Sequence, residues 1–193
     1  MSCKKKALVA LIGSVFMAGT AQVLADPSAS MLANTCAGCH GTGGKSVGPA
    51  SPNLAGMSQY YFIESMNGFK SGARPATVMD RIAKGYTESQ IEAMAGYFAS
   101  KPVHKAKVPH DAAKAKAGAK VYDQACSKCH DDKGALPDDD AGILAGQWLP
   151  WLQYSMIDFQ SGAREMPRKM ASELKKLSDE EIQAALHFFA SQQ

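Results

Sequence analysis

A five-residue pattern that occurs twice constrains the fold of this chain more than any other feature. The copies lie 90 positions apart (126 minus 36) and read Cys36-Ala37-Gly38-Cys39-His40 and Cys126-Ser127-Lys128-Cys129-His130. Cys-x-x-Cys-His is the attachment motif of c-type haem. Its two thiols can form thioethers with the porphyrin vinyl groups, and its histidine can bind the iron. The pattern therefore predicts two covalently bound haem c groups, held by Cys36, Cys39 and His40 and by Cys126, Cys129 and His130.

Other uses of paired cysteines fit this chain less well. Structural zinc sites usually bring two Cys-x-x-Cys pairs together within about 15–20 residues, whereas the pairs here are 90 positions apart and each carries its own histidine. A thioredoxin-type dithiol is typical of a βαβ unit and needs no histidine. Neither half of the chain shows a βαβ pattern.

The two motifs lie inside a longer internal repeat. A shift of 90, changing to 91 near the second copy's end, superposes long stretches: Leu54-Ala55-Gly56 on Leu144-Ala145-Gly146, Ser71-Gly72-Ala73-Arg74 on Ser161-Gly162-Ala163-Arg164, and Phe98-Ala99-Ser100 on Phe189-Ala190-Ser191. Such self-similarity indicates a duplicated domain. The Pro-containing stretch 101–113 is the natural linker, so we predict one domain over 26–105 and a second over 106–193.

Both copies have the residue patterns of helices. Ala112 to Ala125 predicts a helix that opens the second copy, with Gly118 and Tyr122 where it approaches the closing helix. Apolar and aromatic residues predict further helical segments over 54–69 and 144–159. Each closing helix begins with a capping box, Thr87 with Gln90 and Ser178 with Glu181. A motif near the start of each domain and a helix at its end match two tandem class I cytochrome c domains. The predicted fold is all-α, with the domains related by internal duplication.

The N-terminal 25 residues have the features of an export signal. Lys4 to Lys6 precede the apolar run 7–18, and Val23-Leu24-Ala25 supplies small residues for cleavage after Ala25. The apolar run of 12 residues is shorter than the ~20 that a membrane-spanning helix needs. We expect a periplasmic mature chain of 168 residues (193 minus 25) with no membrane span. Nothing in it resembles a nucleic-acid-binding surface.

Methionine is the predicted second axial ligand of both irons. Met79 and Met170 superpose in the repeat and precede the closing helices, whereas none of the other histidines of the mature chain repeats between copies. Met166 remains an alternative to Met170. Histidine–methionine ligation raises the reduction potential and suits electron transfer. Pro49 is expected to orient His40 through its carbonyl, and in the second copy Asp139 or Pro137 occupies the corresponding region.

Beyond the haem motifs, the chain resembles tandem cytochromes of the cytochrome c4 group and, more closely, the diheme cytochrome subunit of flavocytochrome c sulfide dehydrogenase. Specific stretches carry this resemblance: Ser46-Val47-Gly48-Pro49-Ala50-Ser51-Pro52, Gly68-Phe69-Lys70-Ser71-Gly72, Arg81-Ile82-Ala83-Lys84-Gly85-Tyr86 and Ile143-Leu144-Ala145-Gly146-Gln147-Trp148. The resemblance implies a heterodimer in which a separate FAD-containing subunit oxidises sulfide. This chain would then pass electrons to a soluble carrier such as a small cytochrome c.

Three functions remain open at this level. The chain is an electron-transfer subunit of a sulfide-oxidising flavocytochrome, a free cytochrome c4-like carrier feeding a terminal oxidase, or an enzyme acting at haem. The paired methionines argue against the last, and no glycine-rich dinucleotide fingerprint is present to bind FAD. We therefore expect no catalytic residues in this chain. The segment 41–61 is poor in charge and is our candidate for docking the flavoprotein.

Overall fold

The computed structural model describes residues 26–193. The predicted signal peptide and its cleavage site lie outside these residues. Within them the regular structure is helical and contains no strand, as the sequence predicts. None of the helices between residues 26 and 193 is long and apolar enough to cross a membrane.

Each repeat contributes five short or medium helices, of which the second contains the haem motif in the first repeat but follows the motif in the second repeat. The first repeat contains α1 (Ala29–Asn34), α2 (Ala37–His40), α3 (Gln59–Ser71), α4 (Met79–Ile82) and α5 (Glu88–Ala99). The second contains α6 (Ala112–Val121), α7 (Asp131–Gly134), α8 (Leu149–Gln160), α9 (Arg168–Leu174) and α10 (Asp179–Ser191). The additional turns are Thr42–Gly44, Ala83–Gly85 and the wide π-type turn Tyr122–Cys126.

The closing helix organises the core of each domain. In the first, α5 packs against α1 and α3 and buries Ile91, Met94, Ala95 and Phe98. In the second, α10 packs against α6 and α8 and buries Leu186, Phe188, Phe189 and Ala190. Both predicted capping boxes are confirmed, because in each the cap hydroxyl and the third-residue side chain satisfy two backbone N–H groups reciprocally.

The predicted close crossing in the second domain is also confirmed. A Cβ atom at Gly118 would overlap the carbonyl of Ala184 on α10, so only glycine lets the two helices approach this closely. One turn later the Tyr122 ring stacks on Phe188 with centroids 4.9 Å apart. In the first domain α1 also packs against α5, but the repeat equivalent of Gly118 is Ser28, the N-cap of the shorter α1.

Two predicted helices begin later in the structure than in the sequence pattern. The segments 54–57 and 144–147 form buried loops, and α3 and α8 begin at Gln59 and Leu149. Each loop is fastened to the closing helix, by Gly56 N donating to Phe98 O and by Gly146 N donating to Phe189 O, both at 2.9 Å. The apolar character of these segments therefore reflects their burial beneath the closing helix.

The linker between α5 and α6 contacts both repeats. Val103 fills the space beside Gly56 in the first repeat, whereas Ala106 N donates to Gly146 O of the second at 2.9 Å. Ala106 and Val108 are both part of the second core. The chain thus changes from one domain to the other within a few residues.

The two domains meet through the segment that we considered for partner docking. Asn53 pairs with Gln147, Trp148 Nε1 donates to Ser46 O at 3.2 Å, and Ser58 Oγ donates to the Asp139 carboxylate. Segment 41–61 therefore contacts the second domain at Ser46, Asn53 and Ser58. Ala50 and Ser51 instead line the cavity described below.

Candidate haem sites

The first motif forms a single helical turn. Cys36 precedes α2 and His40 ends it, with His40 N donating to Cys36 O at 2.9 Å. In this turn Cys39 is exposed, whereas His40 is buried. Burial raises the pKa of the Cys36 thiol, an effect that its hydrogen bond with Thr35 opposes. All three side chains nevertheless line one cavity.

A cavity of about 760 Å³ lies against this motif. Its walls combine the haem motif with apolar side chains of α3 and with the segment that leads into α4. The lining residues from the first repeat include Cys36, Cys39, His40, Met57, Phe62, Met66 and Met79. The second domain completes the wall with Trp151, Tyr154, Ser155, Asp158 and Arg164. The first candidate site is therefore shared between the two repeats.

A backbone carbonyl orients the imidazole of the first motif, but not the one that we expected. His40 Nδ1 lies 2.8 Å from Pro52 O, so Pro52 takes the role predicted for Pro49. The glycine-rich turn after the motif sets this register, because Gly44 O accepts from both Leu54 N and Ala55 N and draws residues 52–55 towards the histidine. Burial lowers the pKa of His40, and the Pro52 hydrogen bond partly offsets that effect.

Met79, the predicted axial ligand of the first haem, lies at the first cavity. It begins α4, rather than lying in a loop, and its partly buried side chain packs against the first core and lines the cavity. Met57 and Met66 line the same cavity, but both are buried core residues. The structure thus brings Cys36, Cys39, His40 and Met79 to one cavity.

The second motif has a different local conformation. It follows the π-type turn Tyr122–Cys126, and His130 N keeps the same bond to Cys126 O, at 3.0 Å. Asp132 and Lys133 then adopt left-handed backbone angles, with φ of 46° and 57°. Tyr122 stabilises this turn, because its hydroxyl donates to His130 O and accepts from Lys133 N, both at 2.9 Å.

The imidazole of the second motif lacks the carbonyl contact seen in the first. Within residues 26–193, the buried His130 Nδ1 atom has no hydrogen-bond partner. Neither Pro137 nor Asp139 provides one, so the expectation of an orienting group at these positions is not met in this structure. Burial lowers the pKa of His130, with the carboxylate of Asp138 acting in the opposite direction.

Helix α9, which contains Met170, lies beside the turn that leads into the second motif. The helix packs against the Tyr122–Cys126 turn. Burial raises the pKa of the Cys126 thiol to about 11, and the Glu173 carboxylate on α9 contributes to this increase. Met170 is the third residue of α9, and Met166 precedes the helix; both are partly buried. The choice between Met166 and Met170 remains a prediction.

A cationic wall between the domains was not anticipated from the sequence. Arg164 donates to the Tyr61 hydroxyl at 3.4 Å, and Arg74 donates to Ser65 Oγ at 2.6 Å. Burial alone would raise the pKa of Tyr61, but the charges of both arginines lower it. The arginines are repeat equivalents, and each lies over an aromatic ring of its own domain, Phe69 or Phe159. The recurrence of arginine at the same position of both repeats was the sequence signal that could have predicted this wall.

The residues around the first cavity fit a haem c group. Thiols and an imidazole lie at one wall, apolar and aromatic side chains form most of the remainder, and Arg74 and Arg164 supply positive charge suited to the carboxylates that a haem carries. In the second domain, Cys126 packs against a buried apolar core that Leu144, Trp148, Trp151 and Met156 also contact. Apolar walls with a few polar groups at one side are typical of cofactor sites.

The fold and the two motifs define a diheme cytochrome c. A family model described as cytochrome c matches residues 25–101, and one described as cytochrome C oxidase, cbb3-type, subunit III matches residues 113–189. Two cytochrome c domains with Cys36/Cys39 and Cys126/Cys129 fit two covalently bound haem c groups. Proteins with these properties are electron carriers.

Comparison over the whole chain identifies the particular family. The chain is 30% identical over 191 residues to cytochrome c4 of Pseudomonas aeruginosa, covering 93% of this chain and 94% of that protein. The crystal structure of reduced recombinant cytochrome c4 from Pseudomonas stutzeri has a TM-score of 0.74 at 25% identity and covers 86% of this chain and 97% of that one. The chain belongs to the family of cytochrome c4-like diheme cytochromes c.

Two further relatives are associated with sulfur compounds. The cytochrome subunit of sulfide dehydrogenase from Chlorobaculum tepidum is 46% identical over 68 residues, which is 35% of this chain and 61% of that protein. The thiosulfate dehydrogenase electron acceptor of Thiomonas intermedia is 29% identical over 197 residues and covers 95% of this chain and 89% of that one.

Proposed function

We propose that His40 and Met79 bind the iron of the first haem, and that His130 and Met170 bind the iron of the second. Cys36 and Cys39, and Cys126 and Cys129, would hold the porphyrins through thioethers. Haem iron supplies one-electron oxidation and reduction. The shared cavity of Cys36, Cys39, His40 and Met79 supports the assignment in the first domain, and the repeat extends it to the second, with domain limits at 26–105 and 106–193.

We propose further that the chain is the electron-transfer subunit of a sulfide-oxidising enzyme complex. A separate FAD-containing subunit would oxidise sulfide, and this chain would accept the electrons and pass them to a soluble carrier such as a small cytochrome c. The observation that carries this proposal is the 46% identity to the Chlorobaculum tepidum subunit, well above the 30% identity to cytochrome c4. Export through a signal cleaved after Ala25 would place the complex in the periplasm.

A second candidate is a free cytochrome c4-like carrier that feeds a terminal oxidase. It is favoured by coverage, because the cytochrome c4 match extends over 93% of this chain whereas the sulfide dehydrogenase match extends over 35%. The two candidates share both haem sites and differ only in their electron donor and acceptor. The donor is therefore the property to measure.

Native purification distinguishes the candidates. A tagged chain is isolated from periplasmic extract of its source organism, assayed for released FAD, and mixed anaerobically with sulfide or with thiosulfate. The first candidate predicts FAD in equal amount to the chain and reduction of both haems by sulfide. A flavin-free chain that sulfide leaves oxidised, but that membranes containing a terminal oxidase turn over, supports the second. Haem reduction by thiosulfate alone would contradict the sulfide assignment.

A further inference from the structure

One peptide group connects the second domain to the axial histidine of the first haem site. The Pro52–Asn53 peptide is trans, so its carbonyl and its N–H point in opposite directions. The carbonyl oxygen of Pro52 lies 2.8 Å from His40 Nδ1. On the other side, Asn53 N donates to Gln147 Oε1, also at 2.8 Å. A continuous hydrogen-bond chain therefore runs from Gln147 through this peptide to His40.

Gln147 is fixed in the orientation that this chain requires. Its side chain is only 1% exposed, and its Nε2 atom donates to Asn53 O at 3.1 Å and to Ile143 O at 3.3 Å. Since Nε2 must face these two acceptors, Oε1 is the atom that faces Asn53 N–H.

Asn53 is held equally firmly between the domains. Its Oδ1 atom accepts from Ser46 N at 2.9 Å, and its Nδ2 atom donates to Gly146 O at 3.2 Å. All four polar groups of this buried residue are thus paired, and neither the peptide nor the glutamine can rotate freely. A fully satisfied buried network of this kind holds a single arrangement.

We propose that Gln147, a residue of the second domain, is a positioning residue for the axial histidine of the first haem. The inference rests on the proposed binding of iron by His40. With iron at Nε2, the proton resides on Nδ1, which donates to Pro52 O and keeps the ring in one orientation.

Gln147 acts on the histidine through the polarity of the peptide. An acceptor at Asn53 N–H makes Pro52 O a stronger acceptor in turn, because successive hydrogen bonds polarise one another. A stronger bond at Nδ1 makes the imidazole more basic and favours the ferric state. Gln147 therefore lowers the reduction potential of the first haem.

The reverse connection is missing from the repeat. The positions equivalent to Pro52, Asn53 and Gln147 are Gly142, Ile143 and Met57, which offer no side-chain amide. In the part of the chain that the structure describes, His130 Nδ1 has no partner. The second domain thus acts on the first haem without a matching influence in the other direction.

The test replaces Gln147 with the residue found at its repeat position. Gln147→Met in the intact diheme protein removes the amide while keeping a similar volume. We expect the reduced-to-oxidised ratio of the first haem to rise about threefold at a fixed ambient potential, somewhat less than the full weight of one hydrogen bond, since the effect passes through a peptide. The ratio for the second haem should change by less. Ser58→Gly, which removes the interdomain bond to Asp139 but leaves the hydrogen-bond chain from Gln147 to His40 intact, is the control and should leave both ratios nearly unchanged.

Two further readouts separate positioning from a general weakening of the interface. Gln147→Glu retains an oxygen facing Asn53 N–H, so its first-haem potential should be equal to or below that of the wild type, the opposite direction from Gln147→Met. In ¹⁵N-histidine NMR of the reduced protein, the Nδ1–H proton of His40 should move upfield in Gln147→Met, and that of His130 should not.

Several results would overturn the proposal. The first is a Gln147→Met variant in which neither the potential of the first haem nor the chemical shift of the His40 Nδ1–H proton changes. The second is a change in potential that is equal at both haems. The third is a change in the first-haem potential that has the same sign in Gln147→Met and Gln147→Glu. Failure of the underlying ligand assignment looks different, because the wild-type spectrum would then lack a haem-shifted His40 ring signal altogether.

Discussion

The two haem sites share one plan and differ most in how each axial histidine is held. His40 lies on a regular helical turn with Pro52 O at 2.8 Å from its Nδ1 atom, whereas His130 Nδ1 has no partner among residues 26–193. The helices that form the pockets superpose along the sequence, including a capping box on each closing helix. Duplication has therefore kept the scaffold and changed the loops that follow the motifs.

The loop sequences explain this difference. The first motif is followed by Gly41, Gly43 and Gly44, all with positive φ, and the chain returns to the histidine at Pro52. The second motif is followed by aspartates, and the position equivalent to Pro52 is Gly142, against which the Tyr61 ring of the first domain packs. An interdomain contact thus lies at the repeat position whose first-domain equivalent, Pro52, contacts the axial histidine.

The largest expected effect comes from removing one haem. Cys126→Ala with Cys129→Ala should unfold the second domain, because a domain of about 80 residues has a marginal core without its cofactor. The haem content should fall by about half, and amide hydrogen exchange should lose protection across α6 to α10. Cys36→Ala with Cys39→Ala is the matched variant for the first domain. Full helical circular dichroism and protease resistance in either variant would contradict the claim that haem stabilises that domain.

Replacement of the axial methionines should change the spectrum without unfolding a domain. Met79→Ala should lower the potential of the first haem and remove about half of the far-red methionine–iron band, since histidine–methionine ligation raises the potential. In the second domain only one of Met166→Ala and Met170→Ala should do the same, and we expect it to be Met170→Ala. An unaltered band in Met79→Ala would show that another residue binds the first iron.

In the second domain the close helix crossing depends on a glycine, and a methyl group tests it. Gly118→Ala should destabilise that domain by about 2 kcal/mol or more, because the added Cβ would overlap the carbonyl of Ala184. Gly96→Ala on α5 is the control, because its Cβ would meet no atom closer than Gln59 Oε1 at 4.0 Å. That change should stabilise the first domain by about 0.5–1 kcal/mol in denaturant unfolding. Equal effects from the two substitutions would contradict the crossing.

A substitution in the turn after the second motif should change stability less than Gly118→Ala does, and should raise it rather than lower it. Lys133 has a φ of 57°, and its repeat equivalent is Gly43 with a φ of 66°. Lys133→Gly should stabilise the second domain by about 0.5–1 kcal/mol, because glycine adopts this conformation without steric cost. The unfolding midpoint of the second domain reports the change. A loss of stability would show that the Lys133 side chain makes a contribution larger than the backbone strain.

The smallest expected effect depends on pH. His187 on α10, whose repeat equivalent is Gly96, accepts a hydrogen bond from Asp111 N at 2.9 Å and is therefore neutral in the folded state. Burial, with a further contribution from Lys114, lowers its pKa below the ordinary value of 6.5. A depressed pKa means that the unfolded chain binds the proton more readily, so this stability is present above pH 6.5 and is lost as the pH falls below it. His187→Gln should flatten the dependence of second-domain stability on pH between about 7 and 5, and an unchanged slope would contradict this role.

Comparison of the predictions with the structure shows which features the sequence determines locally. The duplication, the helices, the capping boxes and the Gly118–Tyr122 crossing depend on nearby residues or on helix spacing, and these were predicted. The contact of His40 with Pro52 rather than Pro49 depends on the path of a loop fastened at Gly44. The pairing of Asn53 with Gln147 depends on how two domains meet. Such long-range contacts leave no periodic pattern in the sequence.

The two haem sites differ in whether the axial histidine is hydrogen-bonded at Nδ1. The most direct test of this difference is hydrogen exchange at the ring Nδ1–H groups of the two histidines. The measurement uses the fully reduced, diamagnetic diheme protein labelled with ¹⁵N-histidine. A ring proton that is hydrogen-bonded to a buried carbonyl exchanges more slowly and resonates further downfield than an unpaired one. We predict slow exchange and a downfield position for His40, with faster exchange and a less downfield position for His130. Equal exchange rates and shifts at the two histidines, or the reverse order, would contradict the account.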